Sequence, residues 1–335
     1  MIVQQISDNR SYLMGIAMVS IMLFHQDWIY GWNPIFAFFH FYGNWGVDVF
    51  LFVSGFGLYY SLKNDHRVIP FYKRRIIRIL PLCILCGLFR YIVDHILPVG
   101  VGGYPTGVHE VTSDWMTILS WDKWFIPVIL VYYLLMPVVF EGTKRLGLKV
   151  LIFAYLIAII YDFSFFPDWM ALFDLTRFPT FCIGVVTAAG CIHFNKVWQV
   201  LGYTAVIIAV IYKFPIMMGW SSMYNSVTYL ILSFGIVQLS IFLISIFSNS
   251  YLDRICRDNK VIPIIKDCIC FIGRHSLEIY LVHEFVYRYT YRFLIDTPIP
   301  LFLQMLIGML VSIFIALFFS KIVERIIIIP KLVSK

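Results

Sequence analysis

Charge is scarce in this sequence. Asp, Glu, Lys and Arg make up 13% of its 335 residues, roughly half the share of a soluble domain. Hydrophobic residues reach 61%, which excludes a soluble enzyme as the body of the chain. Its longest polar stretches, Gly100–Asp114 and Ser248–Lys260, are too short for a separate fold. Low-complexity tracts and internal repeats are missing as well. Met1–Arg10 is polar, and no small-x-small cleavage site follows the long apolar run behind it, so the first span reads as a signal anchor. None of the seven cysteines falls in an expected external loop, which excludes a disulfide framework. Cys83-x-x-Cys86 and Cys268-x-Cys270 lack a His at ligand spacing, so no metal site is expected.

What the sequence does have is apolar length. It predicts an all-α polytopic membrane protein, one domain over residues 1–335. Ten transmembrane helices are expected at 11–31, 45–62, 76–97, 122–140, 148–165, 176–192, 198–214, 223–247, 269–288 and 299–320. Each is near the ~20 residues that cross a bilayer. The alternate connections carry 20 and 5 of the 26 Lys and Arg, with Arg90 inside the third span. That asymmetry predicts both termini in the cytoplasm of a multi-pass cell-membrane protein. The net charge of +7 is then an inner-face feature. It suits anionic lipid or an anionic cytosolic ligand rather than nucleic acid.

Ionisable residues inside membrane helices are candidates for function, because each needs a partner or a water-filled cavity. His25, in I-M-L-F-H-Q-D-W, is expected about 9 Å below the outer boundary and Asp48, in G-V-D-V-F, about 5 Å below it. Arg177 and Trp124 open the sixth and fourth spans at the same face, and His283 and Glu284 lie in the outer third of the ninth. These residues are expected in one shallow outer layer. On the opposite side, F-Y-K-R-R-I-I-R-I-L-P puts Arg74, Arg75 and Arg78 on neighbouring positions of one helix face, a pattern suited to phosphates. Each feature also has a structural reading. His25 would be a satisfied core residue, Asp48 and Arg177 an ion pair, and the arginines an ordinary positive-inside anchor.

G-V-D-V-F-L-F-V-S-G-F-G-L (46–58) with the arginine segment after it, W-F-I-P-V-I-L-V-Y-Y-L-L-M-P (124–137), R-F-P-T-F-C-I-G (177–184) and F-I-G-R-H-S-L-E-I-Y-L-V-H (271–283) together resemble the acyltransferase-3 family of integral membrane acyltransferases. The resemblance covers nearly the whole chain. It implies O-acylation, often O-acetylation, of a surface carbohydrate, with cytosolic acyl-CoA as donor. It also implies a catalytic role for His25 and matches Arg75 and Arg78 to the family's Arg-x-x-Arg. One departure stands out. The family usually carries a cation where this sequence has Met14, and Arg10, one helical turn earlier on the same face, is the candidate substitute.

A sugar hydroxyl is a weak nucleophile and needs a general base to attack a thioester, a task that neutral imidazole suits. Asp48 is expected to orient His25, with Glu284 second. Arg177 is the candidate to stabilise the oxyanion, and His283 to do the same or to bind the sugar. Donor phosphates are expected at the cytosolic arginines, with the thioester roughly 15–20 Å away at His25. The expected partners are a carbohydrate or lipid-linked glycan acceptor and the bilayer, with no metal. The rival reading is a polysaccharide exporter or proton-coupled transporter, since buried His, Asp and Glu also serve proton relays. A catalytically dead scaffold is the third.

Overall fold

The computed structural model describes residues 2–26, 34–96, 119, 124–163, 174–217, 223–248 and 261–333. Most of the two polar stretches named above lies outside them. Helix follows helix, with no strand among the described residues. The helices are α1 (Ile2–Asp8), α2 (Arg10–Phe24), α3 (Pro34–Tyr42), α4 (Gly46–Asn64), α5 (Val68–Ile96), α6 (Phe125–Leu146), α7 (Val150–Phe163), α8 (Phe178–Ala188), α9 (Lys196–Met217), α10 (Met223–Ser248), α11 (Val261–Arg274), α12 (Ser276–Leu294) and α13 (Leu301–Val333). Single 3₁₀ turns at Gly43–Trp45 and Gly147–Lys149 lead into α4 and α7.

Six helical stretches are long and apolar enough to cross a membrane: Ala37–Asn64, Val68–Asp94, Phe125–Asp162, Lys196–Lys213, Val227–Ser245 and Leu301–Ile326. The third of these contains two of the ten expected spans. The expected first and sixth spans are shorter apolar helices of 15 and 11 residues. The expected ninth span is not one helix. It divides at His275 into α11 and α12, and α12 carries Glu278, Glu284, Arg288 and Arg292.

The helices sort into inner and outer sets. Every residue of α8 is buried, and α2 and α4 flank it in the main apolar core. Large aliphatic and aromatic side chains on α7, α9 and α13 point outward instead, among them Ile160, Ile211 and Phe314. In water such faces would be costly, whereas lipid is as apolar as they are. The inner helices touch backbone to backbone. A Cβ on Gly55 would collide with the carbonyl of Phe181, and one on Gly184 with that of Phe52, so α4 and α8 cross where neither has a side chain. Gly15 and Gly273 do the same for α2 and α11. Close small-residue crossings are how membrane helices gain packing without a hydrophobic driving force between them. They also hold the ends of α2, α4, α8 and α12 in fixed relation, and the polar residues sit at those ends.

Candidate functional site

His25 caps the C-terminal end of α2, where its backbone N–H reaches Ile21 O at 3.2 Å. Its ring Nδ1 lies 3.0 Å from the same carbonyl and 3.1 Å from Nε2 of His283. A carbonyl only accepts, so Nδ1 carries the hydrogen and Nε2 carries the lone pair. His283 is fixed in the same way. Its Nδ1 donates to the carbonyls of Tyr280 at 2.8 Å and Ile279 at 3.2 Å, leaving Nε2 to accept from His25. The Nε2 of His25 faces Glu284, whose Oε1 is 3.6 Å away. That gap is too long for a hydrogen bond in the resting state. The site is open, the side chains of His25 and Glu284 being 25% and 32% exposed.

Asp48, the expected orienting partner of His25, does not reach it. Its carboxylate accepts from Arg177 Nη1 at 2.7 Å and from Thr180 Oγ1 at 3.5 Å, and it is wholly buried. The reason lies in the α4–α8 crossing. The Asx turn at Asp174, whose carboxylate accepts from the Thr176 N–H, starts α8 with Arg177 as its cap, facing the first turn of α4. Arg177 also donates to Asn44 O at 3.3 Å and stacks over the Tyr229 ring at 3.6 Å. Asn44 in turn holds Lys213 Nζ at 2.7 Å and the Tyr229 hydroxyl at 2.7 Å. Among the described residues, the bonds of this network run to α8, α9 and α10 rather than to His25. The carboxylate beside the imidazole is Glu284. Asn44, Lys213 and Tyr229 receive no role from the sequence. The signal for Lys213 is a cation ending an apolar helix. Asn44 and Tyr229 give none.

A cavity of about 320 Å³ lies among α2, α4, α5, α6 and α12. Arg10, Arg75 and Arg78 line it, and none of its lining residues among the described ones is acidic. Met14 is in its wall one turn above Arg10, so the guanidinium of Arg10 occupies the space next to the missing cation. Gly57 makes that possible, because a Cβ there would lie 2.7 Å from the guanidinium nitrogens of Arg10. Arg75 donates to Ser61 Oγ at 3.0 Å. Arg74, expected with them, turns away to an exposed ion pair with Asp65 at 2.9 Å, shared with Arg67. Tyr280 also lines the cavity; its ring is 5.6 Å from that of His283 and its carbonyl holds His283 Nδ1. Tyr280 is thus the residue that both lines the cavity and holds the imidazole pair. Among the described residues no cluster of His, Cys, Asp and Glu suits a metal ion.

The family model described as an acyltransferase domain, Acyl_transf_3, matches residues 11–321. No curated protein and no solved structure matches the chain. A match of that extent takes in Arg75, Arg78, Tyr280, the imidazole pair and nearly all of the apolar helices, with Arg10 one residue outside it. The chain thus belongs to the acyltransferase-3 family and is a multi-pass membrane acyltransferase.

Proposed function

We propose that the protein transfers an acyl group, acetyl first among the candidates, from a cytosolic acyl-CoA to a hydroxyl of an extracytoplasmic carbohydrate. O-antigen, capsule, exopolysaccharide and cell-wall glycan are the acceptor classes. The observation that supports this reading most is the cavity lined by Arg10, Arg75 and Arg78 and also by Tyr280, whose ring lies 5.6 Å from that of His283. Guanidiniums bind phosphates as forks of donors. A nucleotide-like donor held there by its phosphates sends its long arm toward Tyr280.

In this reading His25 is the general base. Its Nε2 takes the proton as the acceptor oxygen attacks the thioester carbonyl carbon. Glu284 stabilises the imidazolium, and His283 keeps Nδ1 as the donor. As the tetrahedral intermediate collapses, the C–S bond breaks and the departing thiolate receives the proton from Nε2. The products are an ester and CoA–SH. Asp48 and Arg177 act as a structural pair in this reading and hold α8 against α4.

The test is purified protein incubated with acetyl-CoA and a glycan acceptor, with free thiol and acceptor mass as readouts. Expected are stoichiometric thiol and a mass gain of one acetyl on the acceptor, both lost in His25→Ala at unchanged expression. Acceptor movement across a liposome membrane with no thiol release would overturn the reading in favour of the transporter.

A further inference from the structure

A second cavity of about 560 Å³ lies between α5 and α6. It is lined by aliphatic side chains, including Ile79, Leu130 and Val131. Its rim residues Ile76, Leu80 and Leu134 are exposed, the last at 63%. This flank carries the same outward-facing apolar residues as α7, α9 and α13, which places the opening toward the bilayer. Along α5 the groove runs from Tyr72 to Cys83, a rise of roughly 16 Å. That is about half the ~30 Å hydrocarbon thickness, the depth of one leaflet.

One end of the groove is polar. Among the described residues Arg75 is the single charged one in its lining, with Tyr72 and Tyr133 beside it. Arg75 also lines the phosphate-suited cavity. No carboxylate is paired with it among the described residues. Its Nη2 donates to Ser61, and its Nε is buried with no hydrogen-bond partner. An apolar slot of one-leaflet length, open to lipid and ending at an unneutralised guanidinium, matches an amphiphile with an anionic head.

We propose that this groove binds a phospholipid with an anionic headgroup. One acyl chain lies along Ile76, Ile79, Leu80 and Leu130, and the phosphate region meets Arg75. The site stands on its own geometry and does not depend on the acyl-transfer reading.

The test is native mass spectrometry of the purified protein exchanged into phosphatidylglycerol or phosphatidylcholine. The wild type should retain one phosphatidylglycerol with about fivefold preference, the effect of one cation near a lipid surface. Arg75→Gln should retain both lipids equally, and Leu80→Trp with Leu130→Trp should retain neither. Excess inorganic phosphate should leave the lipid adduct in place, which separates a lipid from a free-anion site. A phosphatidylglycerol with a photoreactive acyl chain gives a readout on the unaltered protein, and its label should fall on α5 and α6 peptides. Equal retention of the two lipids by the wild type, or label concentrated on α9 and α13, would overturn the proposal. Thiol release plays no part in these measurements, so a failure here is distinct from a failure of the proposed activity.

Discussion

His25 and Arg177 are both ionisable residues at helix ends in an apolar fold, and each faces a carboxylate. Arg177 meets Asp48 at 2.7 Å, with side-chain exposures of 4% and 0%. His25 meets Glu284 at 3.6 Å, with exposures of 25% and 32%. The first pair is dry, short and tied to Thr180, Asn44 and Tyr229. The second is open, and among the described residues its ring is hydrogen-bonded through Nδ1, with Nε2 facing Glu284. Buried charges removed from water must be matched, and such matching leaves little over for chemistry. A base must have an unengaged lone pair that a substrate can reach. In the proposed reading the two pairs of cation and carboxylate therefore serve opposite ends, and the contacts each makes separate them.

The contrast predicts that the two sites fail in opposite ways. The largest effect is expected at the open one. His25→Ala should lower kcat by about 10²–10⁴-fold, the usual contribution of a positioned base, with little change in thermal unfolding in detergent. Asp48→Ala should do the reverse. It strands a buried guanidinium and costs about 3–5 kcal/mol of stability, read as loss of folded yield and a lower Tm. An Asp48→Leu, Arg177→Met double variant should recover much of that loss. Activity that survived His25→Ala, or stability that survived Asp48→Ala, would break the comparison.

Smaller effects sharpen it. Arg78→Ala should raise KM for the donor by about tenfold or more, as expected for a charged hydrogen bond worth about 1.5–3 kcal/mol, with kcat nearly unchanged. Arg74→Ala should leave KM within about twofold, since Arg74 faces Asp65 and solvent and an exposed pair contributes little. Gly57→Ala should displace Arg10 and raise donor KM by about fivefold, near 1 kcal/mol, while its unfolding stays as in the wild type. The smallest effect concerns pH. Arg67 first, and Arg74 after it, hold the Asp65 carboxyl well below the usual carboxylate range. A carboxyl with a lowered folded-state pKa adds stability above its ordinary range and loses it as pH falls through the lowered value. Asp65→Asn should thus remove a small acid-side slope in thermal stability. High salt should mask the difference because the pair is exposed.

Much of the molecule is legible in its sequence. Scarce charge and long apolar runs mark a membrane helix protein, because a bilayer leaves few other ways to satisfy a backbone. His25, His283, Glu284 and the Arg75–Arg78 pair stand out by the rule that polar groups in lipid need a reason. The ninth span is different, since hydropathy does not show its break at His275. The sixth span is also shorter than its apolar pattern. Thr187, Ala188 and Ala189 continue that pattern, but Gly190 adopts φ 74° and ends α8 there.

The sequence by itself determined the class of the molecule and singled out polar residues within its apolar runs, because composition and pattern are local properties. Which carboxylate meets which cation was decided only by the tertiary structure. In one dimension Asp48 ranks ahead of Glu284 as the partner of His25. Glycine crossings bring α4 onto α8 and α2 onto α11, and that geometry gives Asp48 to Arg177 and Glu284 to His25. The same packing turns Arg74 outward and admits Arg10 to the cavity beside Met14, where Gly57 leaves the space. Pairings of this kind depend on where helices cross, and crossings are set by distant small residues that no local pattern connects to the charges they place.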